Sequence, residues 1–165
     1  MTQQSDFLVV GSGIAGLSFA LKAAELGTVA IITKKARAES NTNYAQGGIA
    51  AVTSAQDSFE SHIADTLGAG VGLCHRDAVE LLVREGPQRL QELIAIGVAF
   101  TQNEGELDLA REGGHSQNRI VHAKDRSGWE IERALLASIA RQPNITVFED
   151  HLAVDLITEI GRAHV

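Results

Sequence analysis

The apolar positions of this chain open with a short continuous run, Phe7-Leu8-Val9-Val10, the pattern of a strand covered on both faces of a parallel sheet. The run stops at Gly11. From Gly13 onward Ile14, Leu17, Leu21 and Ala24 recur at three- and four-residue steps, which predicts a helix, and Gly27 supplies its stop. Thr28 to Thr33, TVAIIT, reads as a second buried strand. The three segments make a β-α-β unit with a right-handed crossover, and the fold class expected is α/β, Rossmann-like, with a parallel sheet.

Farther along, Asp57 stands three residues before Glu60 and Asp77 three before Glu80, two helix starts resembling capping boxes. Gly86-Pro87 is expected to interrupt the second helix and restart it, with Leu90, Leu93 and Ile94 as the new apolar face and Gly97 as its end. Ser127-Gly-Trp-Glu130 is the best capping-box pattern, opening a helix that runs towards Arg141 and ends before Pro143. ITVFED and LAVDLI then read as strands. Between Phe100 and Val121 lies a polar, glycine-bearing segment with little periodicity, expected to be a functional loop. Phe59, Phe100 and Trp129 are expected to pack in the core or on helix faces.

Composition narrows the partners. With 165 residues and 44% apolar content the chain is about one domain long, and a single globular unit is expected. A net charge of −7 without any Lys/Arg-rich block argues against nucleic acid. No run is long enough for a membrane span, and the start MTQQSDF lacks the features of a signal peptide, so a cytoplasmic location is expected. Cys74 is the only cysteine and reads as a structural thiol. No histidine pattern has ligand spacing, so no metal is expected.

Candidate chemistry begins at Gly11-Ser-Gly13-Ile-Ala-Gly16, a GxGxxG placed after a strand and opening a helix. Gly11 permits the tight turn, Gly13 lets backbone approach a pyrophosphate, and Gly16 lets helix and strand pack closely. Free N–H groups at the helix start face the anion. The acid normally found at the tip of the second strand, which holds the ribose, is missing; Lys34-Lys35 stand there instead. The pair is compatible with a 2′-phosphate, hence NADP, or with a nucleotide whose ribose is held another way.

Ser40-Asn-Thr-Asn-Tyr-Ala-Gln-Gly-Gly-Ile-Ala-Ala-Val52 resembles the flavin-contacting segment of the succinate dehydrogenase/fumarate reductase flavoprotein family. Lys34, REGGHS (111–116) and RIVHAKDRSG (119–128) extend the resemblance over residues 6 to 158. It implies a Rossmann-like FAD-binding domain, present in its N-terminal part only, and FAD as the cofactor. Gly11, Ser12, Gly13, Ile14, Ala15 and Gly16 are then expected at the pyrophosphate and Lys34 on the adenosine side. Asn41, Thr42, Asn43, Tyr44, Ala45, Gln46, Gly47 and Gly48 are expected at the isoalloxazine, where paired glycines let backbone amides reach the ring. Asp125, Ser127 and Gly128 match a further family stretch, from which Lys124 departs.

Two positions place the chain within that family. Asn41 stands where many members carry a histidine joined covalently to the flavin, so noncovalent FAD is implied. Glu112 stands where dicarboxylate-only relatives have an apolar residue, and a carboxylate there would pair with the ammonium that distinguishes L-aspartate from succinate. The resemblance therefore implies oxidation of L-aspartate to iminoaspartate, with oxygen or fumarate as acceptor and quinolinate synthase as a functional partner in NAD synthesis. His115 either orients the Glu112 loop or is structural. The main catalytic residues of the family lie beyond the end of this chain, so the piece alone is expected to be inactive. Residues 159–165 resemble nothing in the family and read as a non-native tail after a domain portion of 1–158.

Overall fold

The computed structural model describes residues 2–157; the tail beginning at Glu159 lies outside them. In chain order the elements are β1 (Phe7–Val10), α1 (Ile14–Ala23), β2 (Val29–Ile32), β3 (Ile49–Ala50), α2 (Phe59–Ala69), α3 (Arg76–Ala95), β4 (Gln102–Asn103), β5 (Glu106–Leu107), β6 (Leu109–Ala110), β7 (Ile120–Val121), α4 (Ser127–Ile139) and β8 (Ile145–Phe148). Instead of the single unit suggested by length, they build two compact units, residues 2–40 with 136–157, and residues 41–135. No helix among the described residues is long and apolar enough to cross a membrane.

The first unit is a parallel sheet in the order β1-β2-β8, with Phe7 opposite Val29 and Val29 opposite Ile145. The expected β-α-β unit is therefore present, with α1 as the connection. Its entry is latched by Asp6, whose carboxylate accepts from the Thr28 backbone N–H and hydroxyl, each at 2.7 Å. Asn144, just before β8, donates to the carbonyl of Ala24 at the end of α1 and to that of Gly27 in the turn before β2. Burial is less symmetric than the apolar runs predict. Val29, Ala30 and Ile31 of the central strand are buried, but Leu8 and Val10 on β1 are exposed, because alternate side chains of a strand point to opposite faces and these two lie opposite Val9. LAVDLI does not form the expected strand: β8 pairs with β2, and among the described residues nothing pairs with 152–157, which are exposed.

In the second unit α2 and α3 pack through Ile63, Val79 and Val83, with Phe59, Leu67 and Cys74 against them. Cys74 is half-buried, as its structural reading requires. Phe100 is buried while Trp129 remains half-exposed. Pro87 does not interrupt α3, contrary to expectation. Val79 and Val83 before it and Leu90 and Leu93 after it lie on one buried face, and that shared burial outweighs the backbone bond a proline cannot donate. Gly97 ends the helix as expected, at φ +100°, with Val98 N–H bonded to the Leu93 carbonyl.

The capping boxes are reassigned. α2 is capped by Ser58, which accepts from Ser61 N–H, and Asp57 is directed elsewhere. α3 starts after His75, and Asp77 sits inside its first turn, where it complements the helix dipole. In α4, the Ser127 hydroxyl accepts from Ala123 N–H, and Glu130 accepts from Ala99 N–H while pairing with Arg133. Tertiary donors win these side chains from the local ones. The segment 100–121 also holds more than a loop: β4 and β5 form a hairpin around Glu104-Gly105, both at positive φ, and β6 pairs with β7, which pairs in turn with β3.

Candidate functional site

In the first unit the glycine spacing gives a tight turn and a close approach of helix to strand. Gly11 sits at φ +103° and its N–H bonds to the Ile32 carbonyl at 2.9 Å, closing β1 onto β2. A Cβ on Gly16 would fall on the Gly11 carbonyl oxygen and within 3.2 Å of Val9 Cγ1, so helix and strand meet at a distance only glycine allows. Gly13 caps α1 without a side-chain bond and no acid occupies the first turn, so no local carboxylate offsets the positive end of the helix dipole. Ser12 is buried with its hydroxyl on Thr33 Oγ1 at 3.1 Å, so its backbone is the part suited to a phosphate.

Lys34, directly after this buried threonine, is exposed. An acid does stand at a strand tip, but on β8: Glu149 accepts from Arg37 Nε at 3.1 Å, Nη2 at 3.0 Å and backbone N at 2.6 Å. These bonds hold its carboxyl down at about 2. Glu149 thus fixes the stretch that follows β2.

In the second unit residues 41–45 form a turn, with Tyr44 N–H on the Asn41 carbonyl and Ala45 N–H on that of Thr42. Gly128, at the start of α4, seals it from below by donating to the Ala45 carbonyl at 3.0 Å. Gly48 closes the other end against β7, where a Cβ would lie 2.5 Å from Ile120 Cγ2 and collide with the Val121 carbonyl. Between these fixed ends Ala45, Gln46 and Gly47 are exposed. A Cβ on Gly47 would stand 4.0 Å from Glu112 Oε1, so a carboxylate distant in sequence faces the bare backbone of the paired glycines. A planar ring fits such a backbone surface, and a cationic group fits the carboxylate beside it.

Glu112 opens a tight turn in which His115 N–H bonds to the Glu112 carbonyl at 3.3 Å and Gly114 takes φ +84°. The turn is tied to α2. Asp65 Oδ2 accepts from Ser116 N and Oγ, each at 2.8 Å, and from Arg119 Nη1 at 2.6 Å. Arg119 is fully buried; its Nε and Nη2 reach the two oxygens of Asp57, both at 2.8 Å, and Nη2 also reaches Ser61 Oγ at 3.1 Å. Its fourth partner is His115 Nδ1, at 3.1 Å.

Burial pushes the Asp57 carboxyl up, but the bonds and charge of Arg119 together with the bond from Ser58 N–H outweigh it and the net direction is down. The same opposition at Asp65, with Ser116 and Arg119 both bonding the carboxylate, brings it to about 2 from an ordinary 3.8. A carboxyl depressed by folding contributes its full stability above its unfolded value and loses it as pH falls through the folded one. Between about pH 4 and pH 2, therefore, the wild-type protein loses denaturation free energy that an Asp65→Asn variant does not lose. Parallel urea titrations across that window would read the difference; equal slopes would remove Asp65 from the acid response.

The structure thus brings Glu112 to Gly47 and holds 41–48 at both ends. Arg119, Asp57 and Asp65 are residues that sequence reasoning missed. No local pattern pairs an arginine with acids more than fifty positions earlier, and Asp57 in particular has the spacing of a cap. Among the described residues no group of histidines, cysteines and carboxylates could hold a metal.

Residues 6–165 match the family model described as "FAD binding domain". The chain is 57% identical to a chloroplastic L-aspartate oxidase of Nicotiana tabacum over 96% of its own length and 24% of that protein's. It is 47% identical to L-aspartate oxidase of Vibrio cholerae, with 94% and 30% covered. Its fold matches an E. coli quinol fumarate reductase, a FrdA variant, with a TM-score of 0.92 and 32% identity, covering 97% of this chain and 28% of that one. The chain thus spans about a quarter of the length of its plant relatives and under a third of the bacterial one. The expected cytoplasmic location is overturned, since the plant relatives are chloroplastic proteins. The opening residues, on which that expectation rested, do not settle a compartment.

Proposed function

Because the chain belongs to the FAD binding domain family, we propose that it is the flavin-holding part of an enzyme that oxidises L-aspartate to iminoaspartate. The observation that carries this reading is the approach of Glu112 Oε1 to Gly47. When bound, FAD supplies the acceptor for the hydride leaving the aspartate Cα. The chain's own residues bind and orient. The Gly11–Gly16 turn receives the pyrophosphate on backbone amides at the start of α1, and Lys34 lies on the adenosine side. Asn41 to Gly48 offer backbone to the isoalloxazine, and Asn41, an amide, leaves the flavin noncovalently held. Glu112 pairs with the substrate's ammonium, which orients the Cα and disfavours succinate.

Oxygen or fumarate then serves as the final acceptor, and iminoaspartate passes to quinolinate synthase for NAD synthesis. A fumarate reductase reading has the fold in its favour, but Asn41 and Glu112 both weigh against it. In the full-length enzyme, Glu112→Gln should lower kcat/KM for L-aspartate by roughly 10- to 100-fold, the loss of one charge-assisted hydrogen bond of about 1.5–3 kcal/mol, and should not lower it for succinate. A wild-type enzyme that oxidises succinate faster than L-aspartate would overturn the reading.

A further inference from the structure

Glu112 needs more than its own charge to select a substrate; its turn must be held still. The segment that follows it is stapled to α2 at two points. Asp65 takes both the backbone N–H and the hydroxyl of Ser116, whose Oγ also lies 3.1 Å from Ser61 Oγ. Arg119, with no exposed surface, reaches His115 Nδ1 at 3.1 Å from a guanidinium already anchored on Asp57 and Asp65.

A guanidinium has donors only, so in this contact the Nδ1 of His115 is the acceptor. His115 is half-buried and stands three residues from Glu112, so the bond from Arg119 holds its ring on the same turn. The ring is also flanked by His62, with centroids 5.6 Å apart. Burial, then the charge of Arg119, lower the pKa of His62, favouring a neutral neighbour that adds no competing charge.

We propose that Asp65, Arg119 and Asp57 are positioning residues for substrate selection: through Ser116 and His115 they fix the turn that presents Glu112. The proposal rests on the assignment of Glu112 to the substrate ammonium. A clamp of this kind acts on binding geometry while the flavin keeps its place, and misplacing a positioned group by about 1 Å can cost up to about 100-fold.

The test uses the full-length holoenzyme and three variants, Asp65→Asn, Ser116→Ala and Glu112→Gln, each assayed with L-aspartate and with succinate alongside bound FAD per polypeptide. For Asp65→Asn the KM for L-aspartate should rise about tenfold, with kcat changed less than about threefold, FAD content at the wild-type level and the preference for L-aspartate over succinate reduced. Ser116→Ala, which removes hydroxyl contacts but keeps the backbone bond to Asp65, should move KM in the same direction by a smaller factor, and it decides the matter if Asp65→Asn yields no holoenzyme. If the Asp65 and Ser116 variants keep wild-type KM and preference while Glu112→Gln does not, the clamp is refuted and the Glu112 assignment survives. If Glu112→Gln is also silent, the assignment itself has failed and the clamp falls with it.

Discussion

Gly128→Ala should strip the holoenzyme of its flavin. A Cβ at this position would collide with the Thr42 carbonyl oxygen and lie 2.7 Å from the Ala45 carbonyl and 2.8 Å from Ala45 Cβ. None of these atoms is the free end of a flexible side chain, and Gly128 is the second residue of α4, so the helix start cannot yield without losing its own bonds. Relief comes from displacing the 42–45 turn, which breaks the 3.0 Å bond from Gly128 N–H to the Ala45 carbonyl. Overpacking of this kind costs about 1–3 kcal/mol, and more when backbone must move. That displacement falls on the segment assigned to the isoalloxazine. Visible flavin absorbance per polypeptide after gel filtration is the measurement. Gly68→Ala is the control, since a Cβ there meets nothing within 4 Å and the residue lies inside α2. A Gly128→Ala protein with a full complement of FAD would show that the 41–48 turn does not hold the flavin.

Arg119→Met should destabilise the folded protein by about 3–5 kcal/mol, the range for removing one partner from a buried ion pair. The methionine fills much of the volume but leaves Asp57, only 1% exposed, and Asp65 without their cation. Urea denaturation at neutral pH reads the effect as a drop in midpoint with little change in slope. Arg89, whose partners Glu85 and Glu92 are likewise within 3 Å, provides the contrast: its pairs are solvent-exposed, and Arg89→Met should stay within about 1 kcal/mol of wild type. If the two variants are equally mild, the buried network is not what holds the second unit together.

Reading the chain by itself identified the features whose cause is local. Gly11, Gly13 and Gly16 are dictated by a turn, a helix start and a close packing that lie within a few residues of one another, so their spacing carries the geometry. The same holds for β1, α1 and β2 and for the stop at Gly97, each set by neighbours in the chain. The resemblance of residues 40–52 and 111–116 to a flavoprotein family then gave the expectation of FAD and of L-aspartate, which no periodicity could have specified.

The misread features were those decided by distant partners. Asp57 has the spacing of a helix cap, yet an arginine 62 residues later takes both its oxygens. Glu130 has the position of a capping-box acid, yet Ala99 N–H and Arg133 claim it. Pro87 carries the sign of a helix break, but buried residues on either side hold the helix through it. LAVDLI has the composition of a strand, yet among the described residues nothing pairs with it. The amino-acid sequence alone determined the glycine turn after β1 and the α/β class, because backbone propensity and glycine sterics act over a few residues. Only the tertiary structure decided that Glu112 faces Gly47 and that Arg119 holds the turn behind it, because charge pairing and burial act through space and leave no periodic trace along the chain.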